Sequence, residues 1–109
     1  MNLSADLLRG YTDPIILCHL DRRDGYGYQI SKEVACLSDE KLQLKEATLY
    51  TAFRRLETAG CIRSYWGDES TGARRRYYSL TDSGRKKLEE DIAFWVETRE
   101  VLNRLLEGD

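Results

Sequence analysis

A helix-like segment followed at once by a basic, β-rich pair of segments constrains the fold of this chain more than any other feature. Residues 45–59 carry apolar side chains at helical spacing, and Gly60 follows the last of them. Because glycine readily closes a helix in the left-handed conformation, the pattern predicts a helix that ends at Gly60. The predicted buried stripe consists of Leu49, Ala52, Phe53, Leu56 and Ala59.

The face opposite this stripe is small, hydroxylated and cationic, as expected of a helix that enters the major groove of DNA. Hydroxyl groups and arginines of this kind contact phosphates, and an arginine can also bind guanine through two hydrogen bonds. An ordinary solvated helix face has a similar composition, so the helix alone does not decide its function. At about 100° per residue, the outward face and its flanks hold Ala47, Thr48, Tyr50, Thr51, Arg54, Arg55 and Thr58.

Two short β-rich segments follow the helix directly. Ile62–Trp66 and residues 74–80 are separated by a segment rich in Gly, Asp and Ser, which is typical of a turn. Arg74, Arg75 and Arg76 open the second segment, where they would straddle phosphates or enter a minor groove. Basic runs are usually solvated surface, but this one follows a helix with a cationic face. Together they predict the recognition helix and wing of a winged helix-turn-helix.

Charge is distributed unevenly along the 109 residues. Seventeen Lys and Arg residues against 19 Asp and Glu residues give a formal net charge of -2, so the chain as a whole is not basic. The cations concentrate between residues 41 and 87, whereas acids dominate from residue 89 onward. This distribution indicates one basic face and one acidic helix within a single small domain.

The cysteine pattern and the absence of targeting signals limit the remaining classes of function. Cys18, Cys36 and Cys61 are widely spaced, which predicts buried free thiols in a reducing cytosol. The single histidine, His19, adjoins Cys18, and neighbours on a helix point in different directions, so we expect no metal site and no cofactor. The first residues do not show the pattern of a leader peptide and no apolar run is long enough to span a membrane, so we expect a soluble, cytoplasmic protein without a leader.

Two further helices are predicted before the recognition helix. Ser4 is the expected cap of the first, whose apolar positions run from Leu7 to Leu20. Pro14 either kinks this helix or marks a second segment capped by Thr12 or Asp13, with proline in its first turn. After a turn, residues 28–37 predict a second helix with inward side chains at Ile30, Val34 and Leu37.

A final helix of about 25 residues is predicted after Thr81, which is well placed to cap it. Its apolar positions step alternately by four and three residues, the spacing of a heptad seam that pairs with a second subunit. Arg99 interrupts the seam: it either extends to solvent or pairs with an acid, or it lines a gap between subunits where a planar aromatic ligand stacks. The seam consists of Leu88, Ile92, Trp95, Arg99, Leu102 and Leu106.

Several segments together resemble the PadR family of bacterial winged-helix regulators. These are YGYQI, EATLYTAFRRLETAGCI, SYWGDESTGARRRYYSLTDSG and the single long C-terminal helix with its Trp95. The chain is most similar to the short LmrR-like branch, in which a tryptophan pair from two subunits sandwiches flat aromatic drugs. The resemblance implies residues 1–80 as a winged helix-turn-helix DNA-binding domain and residues 81–109 as a C-terminal dimerisation helix, in a mainly α fold with a small β-hairpin.

The residue patterns and the resemblance together predict partners and site residues. The expected partners are double-stranded operator DNA, a second copy of the chain and a planar aromatic effector, with no membrane. Dimer contacts are expected at Leu88, Ile92, Trp95, Leu102 and Leu106. Ligand contacts are expected at Leu7, Tyr11, Pro14, Cys18, Leu88, Ile92, Trp95 and Arg99. DNA contacts are expected at Tyr28, Lys45, Thr48, Tyr50, Thr51, Arg54, Arg55, Arg74, Arg75 and Arg76.

These patterns favour a dimeric transcriptional repressor that an effector releases. Arg99, Pro14 and Cys18 depart from the residues at matching positions of the LmrR-like branch, so we expect a neutral or anionic aromatic ligand, or a closed gap with no ligand. The alternative function is a winged-helix module that contacts only proteins, which would show no salt-dependent DNA binding. An enzyme is the least favoured class, since the chain has neither a nucleophile elbow nor a phosphate-cradling glycine loop.

Overall fold

The computed structural model describes residue 3, residues 6–67 and residues 74–108. The fold is mainly helical with one two-stranded antiparallel hairpin, as the sequence predicts. No helix within the described ranges is long and apolar enough to span a membrane. In chain order the elements are α1 (Thr12–Arg22), α2 (Gly27–Leu37), α3 (Glu46–Thr58), β1 (Ile62–Trp66), β2 (Arg76–Leu80) and α4 (Asp82–Glu107).

The first three helices enclose a core that the base of the hairpin closes. Four of the five predicted stripe residues of α3 are buried, and Phe53 stacks on Tyr78 of β2 with ring centroids 4.2 Å apart. Ala59 is exposed, contrary to prediction, because it is the C-cap of α3 rather than part of its last turn. Leu37 is also exposed, at the last position of α2, so its predicted inward orientation is wrong.

The start of α1 decides between the two alternatives for Pro14. The helix begins at Thr12, so Pro14 lies in its first turn, where a missing N–H costs little. The N-cap is Tyr11, which makes no side-chain cap, and neither Thr12 nor Asp13 caps the helix as predicted. The proposed capping residue Ser4 lies outside the described residues.

The two strands of the hairpin pair with each other, and β2 is also bridged to the turn between α1 and α2. The register of the hairpin pairs Ile62 with Leu80 and Trp66 with Arg76. A single bridge also joins Gly25, in the turn between α1 and α2, to Tyr78. β2 begins at Arg76 rather than at residue 74, and the predicted turn residues 68–73 lie outside the described ranges.

The N-terminal end of α4 is fixed tightly beneath the hairpin. Thr81 caps the helix as predicted, since its Oγ1 accepts a hydrogen bond of 3.0 Å from the Gly84 amide. A Cβ added at Gly84 would lie 2.0 Å from the carbonyl oxygen of Cys61, so no larger residue fits at this approach. Leu88 is buried against the core, whereas the apolar side chains from Ile92 onward are exposed, apart from the half-buried Val96.

The three cysteines are free thiols in different surroundings. Cys61 is buried as predicted, between α3 and the hairpin. Cys18 and Cys36 are exposed, so their predicted burial is wrong. Both lie on helix faces that point away from the core that their own chain forms.

Candidate nucleic-acid interface

A concave surface lies where the start of α2, the recognition helix α3 and the hairpin meet. Its volume is about 520 Å³, and aromatic and arginine side chains dominate its lining. We refer to it as the aromatic–arginine cleft. It is lined by Tyr26, Gly27, Tyr28, Tyr50, Trp66, Arg74, Arg75, Arg76 and Tyr78.

The hairpin distributes its three arginines over two sides because successive residues of an extended chain point in opposite directions. The guanidinium carbons of Arg74 and Arg76 lie 5.1 and 5.8 Å from the centroid of the Trp66 ring. The Arg75 guanidinium lies 4.7 Å from the centroid of Tyr26, the N-cap residue of α2. Each arginine of the triplet is therefore placed over an aromatic ring at the edge of the cleft.

Arg76 is bound to an acid as well as to the ring. Its Nη2 donates a hydrogen bond of 2.8 Å to Ser64 Oγ and lies 3.5 Å from Glu57 Oε1. Ser64 in turn donates a hydrogen bond of 2.7 Å to Glu57 on α3. This network ties the hairpin to the recognition helix and compensates the charge of Arg76, so Arg75, whose guanidinium lies over the Tyr26 ring, is a stronger candidate for binding a polyanion.

Arg55, a predicted DNA contact, faces α1 instead of the cleft. Its Nε donates a hydrogen bond of 3.1 Å to Asp13 Oδ2, and its Nη2 donates a second to Oδ1 of the same carboxylate. The hydrogen bond from Arg55 to Asp13 raises the pKa of Arg55. A two-point pair of this kind fixes the guanidinium, so the structure assigns Arg55 to the α1–α3 contact.

The other predicted DNA contacts in α2, in α3 and at the N-cap of α3 are exposed, apart from the half-buried Thr48. Tyr28 and Tyr50 are exposed and line the cleft together with the hairpin arginines. Lys45 is the N-cap of α3, with no side-chain cap, and is exposed. Along α3, Thr51 and Arg54 are exposed and Thr48 is half-buried, and none of these three lines the cleft itself.

The start of α2 adds backbone donors to the cleft. Tyr26 has an extended backbone and makes no side-chain cap, and the first intrahelical hydrogen bond runs from the Ile30 amide to the Tyr26 carbonyl. The earlier amides of a helix lie at the positive end of its dipole. With Arg75 above Tyr26, this corner suits a phosphate group.

A ladder of aromatic rings supports Tyr26 from behind. The Tyr65 hydroxyl donates a hydrogen bond of 2.6 Å to Asp24, which raises the pKa of Tyr65 to about 12. Tyr65 stacks on Tyr77 at 5.6 Å, and Tyr77 meets Tyr26 edge to face at 5.2 Å. Sequence reasoning missed Trp66, Tyr65 and Tyr77, although their alternation across the two strands was the available signal.

A cluster of ionisable side chains around the buried His19 lies behind the same turn. His19 is 2% exposed, and its Nδ1 lies 3.1 Å from Glu33, which also binds Arg22 and Arg23. Burial lowers the pKa of His19, against the opposing charge of Glu33. Burial opposes ionisation of Glu33, yet the Arg23 hydrogen bond and the neighbouring cations make its net pKa lower than usual.

A second concave surface, which we call the apolar groove, lies between α1 and α4. Its volume is about 660 Å³, and Tyr11 meets Trp95 edge to face inside it at 5.7 Å. Five predicted ligand residues come together here, and Asp91 and Phe94 are lining residues that the sequence reasoning missed. The groove is lined by Leu8, Arg9, Gly10, Tyr11, Pro14, Ile15, Cys18, Asp91, Ile92, Phe94 and Trp95.

Three predicted ligand residues do not line this groove. Leu7 is exposed outside it, and Leu88 is buried in the core of its own chain. Arg99 lies one turn beyond Trp95 on α4 and is likewise absent from the lining. Leu88 is therefore also unavailable as a dimer contact, whereas Ile92, Trp95, Leu102 and Leu106 form an exposed stripe.

Known proteins resemble this chain in both sequence and structure. Residues 16–90 match the model of the "Transcriptional regulator PadR-like family". An uncharacterized protein of Lysinibacillus sphaericus is 41% identical over 104 residues, which cover 95% of each chain. A transcriptional regulator from Clostridium thermocellum is 44% identical with a TM-score of 0.86 over 93% of this chain and 98% of its own. A PadR family regulator from Clostridium difficile is 40% identical with a TM-score of 0.79 over 89% and 99%.

Proposed function

The chain belongs to the PadR-like family of transcriptional regulators, and we propose that it binds operator DNA as a homodimer and represses transcription until a planar aromatic effector releases it. Regulators of this family bind DNA. In the proposal, residues 1–80 form the DNA-binding domain and residues 81–109 form the dimerisation helix. The aromatic–arginine cleft is the single observation that carries the DNA-binding part.

The cleft supports DNA binding because it places cations and helix-end amides on the same side as the exposed face of α3. Thr51 and Arg54 of α3 would contact base edges in the major groove. Arg74 and Arg75 would contact the phosphates beside it, and the start of α2 would hold one more phosphate. Compared with the sequence prediction, the proposal excludes Arg55, which Asp13 binds, and gives Arg76 a supporting role.

Dimerisation is supported by the exposed apolar stripe of α4. Ile92, Trp95 and Leu102 are each more than two-fifths exposed, and Leu106 is 81% exposed. A seam of this length on a projecting helix buries substantial apolar area only against another molecule. In a symmetric dimer, two copies of α3 would read half-sites about 34–36 Å apart, one turn of DNA.

Effector binding is supported by the apolar groove and its tryptophan. The charges closest to it are internally paired, since Lys87 donates a hydrogen bond of 2.8 Å to Asp91, and Arg9 lies 3.1 Å from Asp6. With Arg99 outside the groove, we propose a neutral planar aromatic ligand. Such a ligand would weaken DNA binding only through its preference for one spacing of the two α3 helices.

The test is fluorescence anisotropy with a labelled duplex from the DNA upstream of the protein's own coding sequence, titrated at two salt concentrations beside a scrambled duplex. The proposal predicts tighter binding to the upstream duplex and a steep loss of affinity with salt. Binding to neither duplex would contradict the proposal and favour a protein-contact module. Addition of a neutral planar dye, with a cationic dye of similar size as control, then tests release.

A further inference from the structure

Trp66 occupies an unusual position for a large aromatic side chain. It is 53% exposed and does not belong to the hydrophobic core, although it lies at the end of a strand whose other end is buried. Its ring is instead flanked by the guanidinium groups of Arg74 and Arg76, at 5.1 and 5.8 Å from the centroid. A role in core packing therefore does not account for Trp66.

We propose that Trp66 is a positioning residue for DNA binding, which holds Arg74 in the orientation that contacts a phosphate. The inference rests on the proposed DNA-binding function and deepens it. An arginine side chain loses considerable rotamer freedom when it binds a phosphate. A ring that holds the guanidinium beforehand removes part of this entropic cost, so the free protein is already arranged for binding.

The geometry gives the three side chains different tasks. Trp66 and Arg76 are direct cross-strand partners, and Arg76 is fixed further by Ser64 and Glu57. The ring of Trp66 therefore packs beside an arginine whose own charge is compensated. Arg74 lies two residues closer to the turn, on the same side of the hairpin and at the edge of the cleft.

The hairpin remains paired at the level of Trp66, which keeps this arrangement defined. Beyond the last strand pair, the Gly67 amide donates a hydrogen bond of 2.7 Å to the Arg75 carbonyl. A Cβ at Gly67 would lie 2.4 Å from the Tyr77 ring. Glycine at this position therefore lets the Tyr77 ring pack on the side of the hairpin opposite Trp66. The backbone of the hairpin is thus hydrogen-bonded as far as Gly67 and Arg75, next to Arg74 in the chain.

The experiment is a double-substitution cycle of Trp66→Ala and Arg74→Ala, with Trp66→Phe as the conservative variant. DNA affinity is measured for all variants with the labelled upstream duplex over a series of potassium chloride concentrations. We expect Trp66→Ala to weaken binding about fivefold to tenfold at low salt, with an unchanged dependence of affinity on salt. Arg74→Ala should reduce the salt slope by about one phosphate contact, and Trp66→Phe should restore most of the affinity.

The cycle distinguishes a positioning role from direct DNA contact. If Trp66 acts through Arg74, Trp66→Ala should lose most of its effect in the Arg74→Ala background. An equal effect in both backgrounds, or none in either, would overturn the inference while the proposed function stands. If the unmodified protein binds neither duplex, the proposed function fails and this inference fails with it.

A measurement on the free protein tests the same arrangement without DNA. In ¹⁵N spectra of the full chain, the Arg74 Nε–Hε group should be ordered in the unmodified protein and in Trp66→Phe. Trp66→Ala should increase its mobility while the backbone amides of β1 and β2 keep their positions. Equal mobility of Arg74 in all three proteins would contradict the proposal.

Discussion

The two concave surfaces of this molecule have almost opposite chemistry: the start of α2, α3 and the hairpin form one, and α1 and α4 form the other. The aromatic–arginine cleft presents guanidinium groups over aromatic rings beside the start of α2. The apolar groove presents Tyr11, Phe94 and Trp95, and its nearest charges are paired among themselves. The first surface suits a polyanion, and the second suits an apolar molecule or an apolar partner surface.

The same contrast exists among the cations, since we expect a charge to contribute to binding only where its own chain leaves it available. Arg55 and Arg76 belong to the same basic region as Arg54 and Arg75, yet acids on neighbouring elements bind the first two. A count of basic residues therefore overestimates the binding surface. The paired substitutions of Arg75 and Arg55 below test this division between compensated and available cations.

The largest effect should follow from Gly84→Ala, which disrupts the close packing of α4 against Cys61 at the base of the hairpin. The added Cβ would lie 2.0 Å from the Cys61 carbonyl oxygen, so α4 or the hairpin must move. We expect the free energy of unfolding to fall by about 3 kcal/mol, measured by urea denaturation. The neighbouring exposed substitution Ser83→Ala is the control and should change stability little. Equal stability of both variants would contradict the tight approach seen here.

A second variant, Leu102→Glu combined with Leu106→Glu, tests the role of the apolar stripe in dimerisation without changing the cleft. Two carboxylates on the seam should raise the dimer dissociation constant at least tenfold, since each buried leucine contributes about 1.5–3 kcal/mol. Sedimentation velocity would measure the change. Asn103→Glu adds the same charge beside the seam and should leave the dimer intact. Dimers of undiminished stability in the double variant would place the interface elsewhere.

Arg75→Ala and Arg55→Ala remove the same charge from two different surroundings. Arg75→Ala should weaken DNA binding for all sequences and lower the salt slope by about 0.9. Arg55→Ala should leave that slope unchanged and reduce stability slightly, because it leaves Asp13 without its partner. Anisotropy titrations over a salt series measure the slopes. Equal slopes for the two variants would remove the distinction between available and compensated arginines.

The smallest effect concerns His19, which lies behind the cleft. Burial lowers its pKa in the folded state, so the unfolded chain takes up a proton first as the pH falls. Stability should therefore decline as the pH drops below about 6.5, the ordinary histidine value. His19→Gln should remove this decline, as thermal denaturation at several pH values would show. Glu33 acts in a separate window, because its lowered pKa keeps it ionised until the pH falls below its ordinary 4.5. An identical dependence of stability on pH in the unmodified protein and in His19→Gln would contradict this role of His19.

Much of the fold follows from local patterns in the sequence. The apolar spacing of α3, the cap at Thr81 and the β-rich hairpin segments each depend on neighbouring residues, and the structure confirms them. The orientation of Leu37 and the exposure of Ala59 were predicted wrongly, since helix periodicity does not show where packing ends.

The candidate site is less predictable because it depends on contacts between distant segments. Nothing local indicates that Asp13 binds Arg55 or that Glu57 binds Arg76, since these pairs join different elements. The burial of Leu88 and the position of Arg99 outside the groove likewise depend on how α4 packs on α1. Residue type and spacing identified the basic region, but only the fold shows which of its arginines are bound by acids from other elements.

The central claim is that DNA occupies the aromatic–arginine cleft and the exposed face of α3 while the apolar groove stays free. The most direct measurement is amide chemical-shift mapping of the full chain with the upstream duplex. The account predicts large changes at residues 26–28, along the exposed face of α3 and at residues 66–67 and 74–76, with small changes around Cys18 and Trp95. Changes concentrated at α1 and α4, with none at the hairpin, would contradict it.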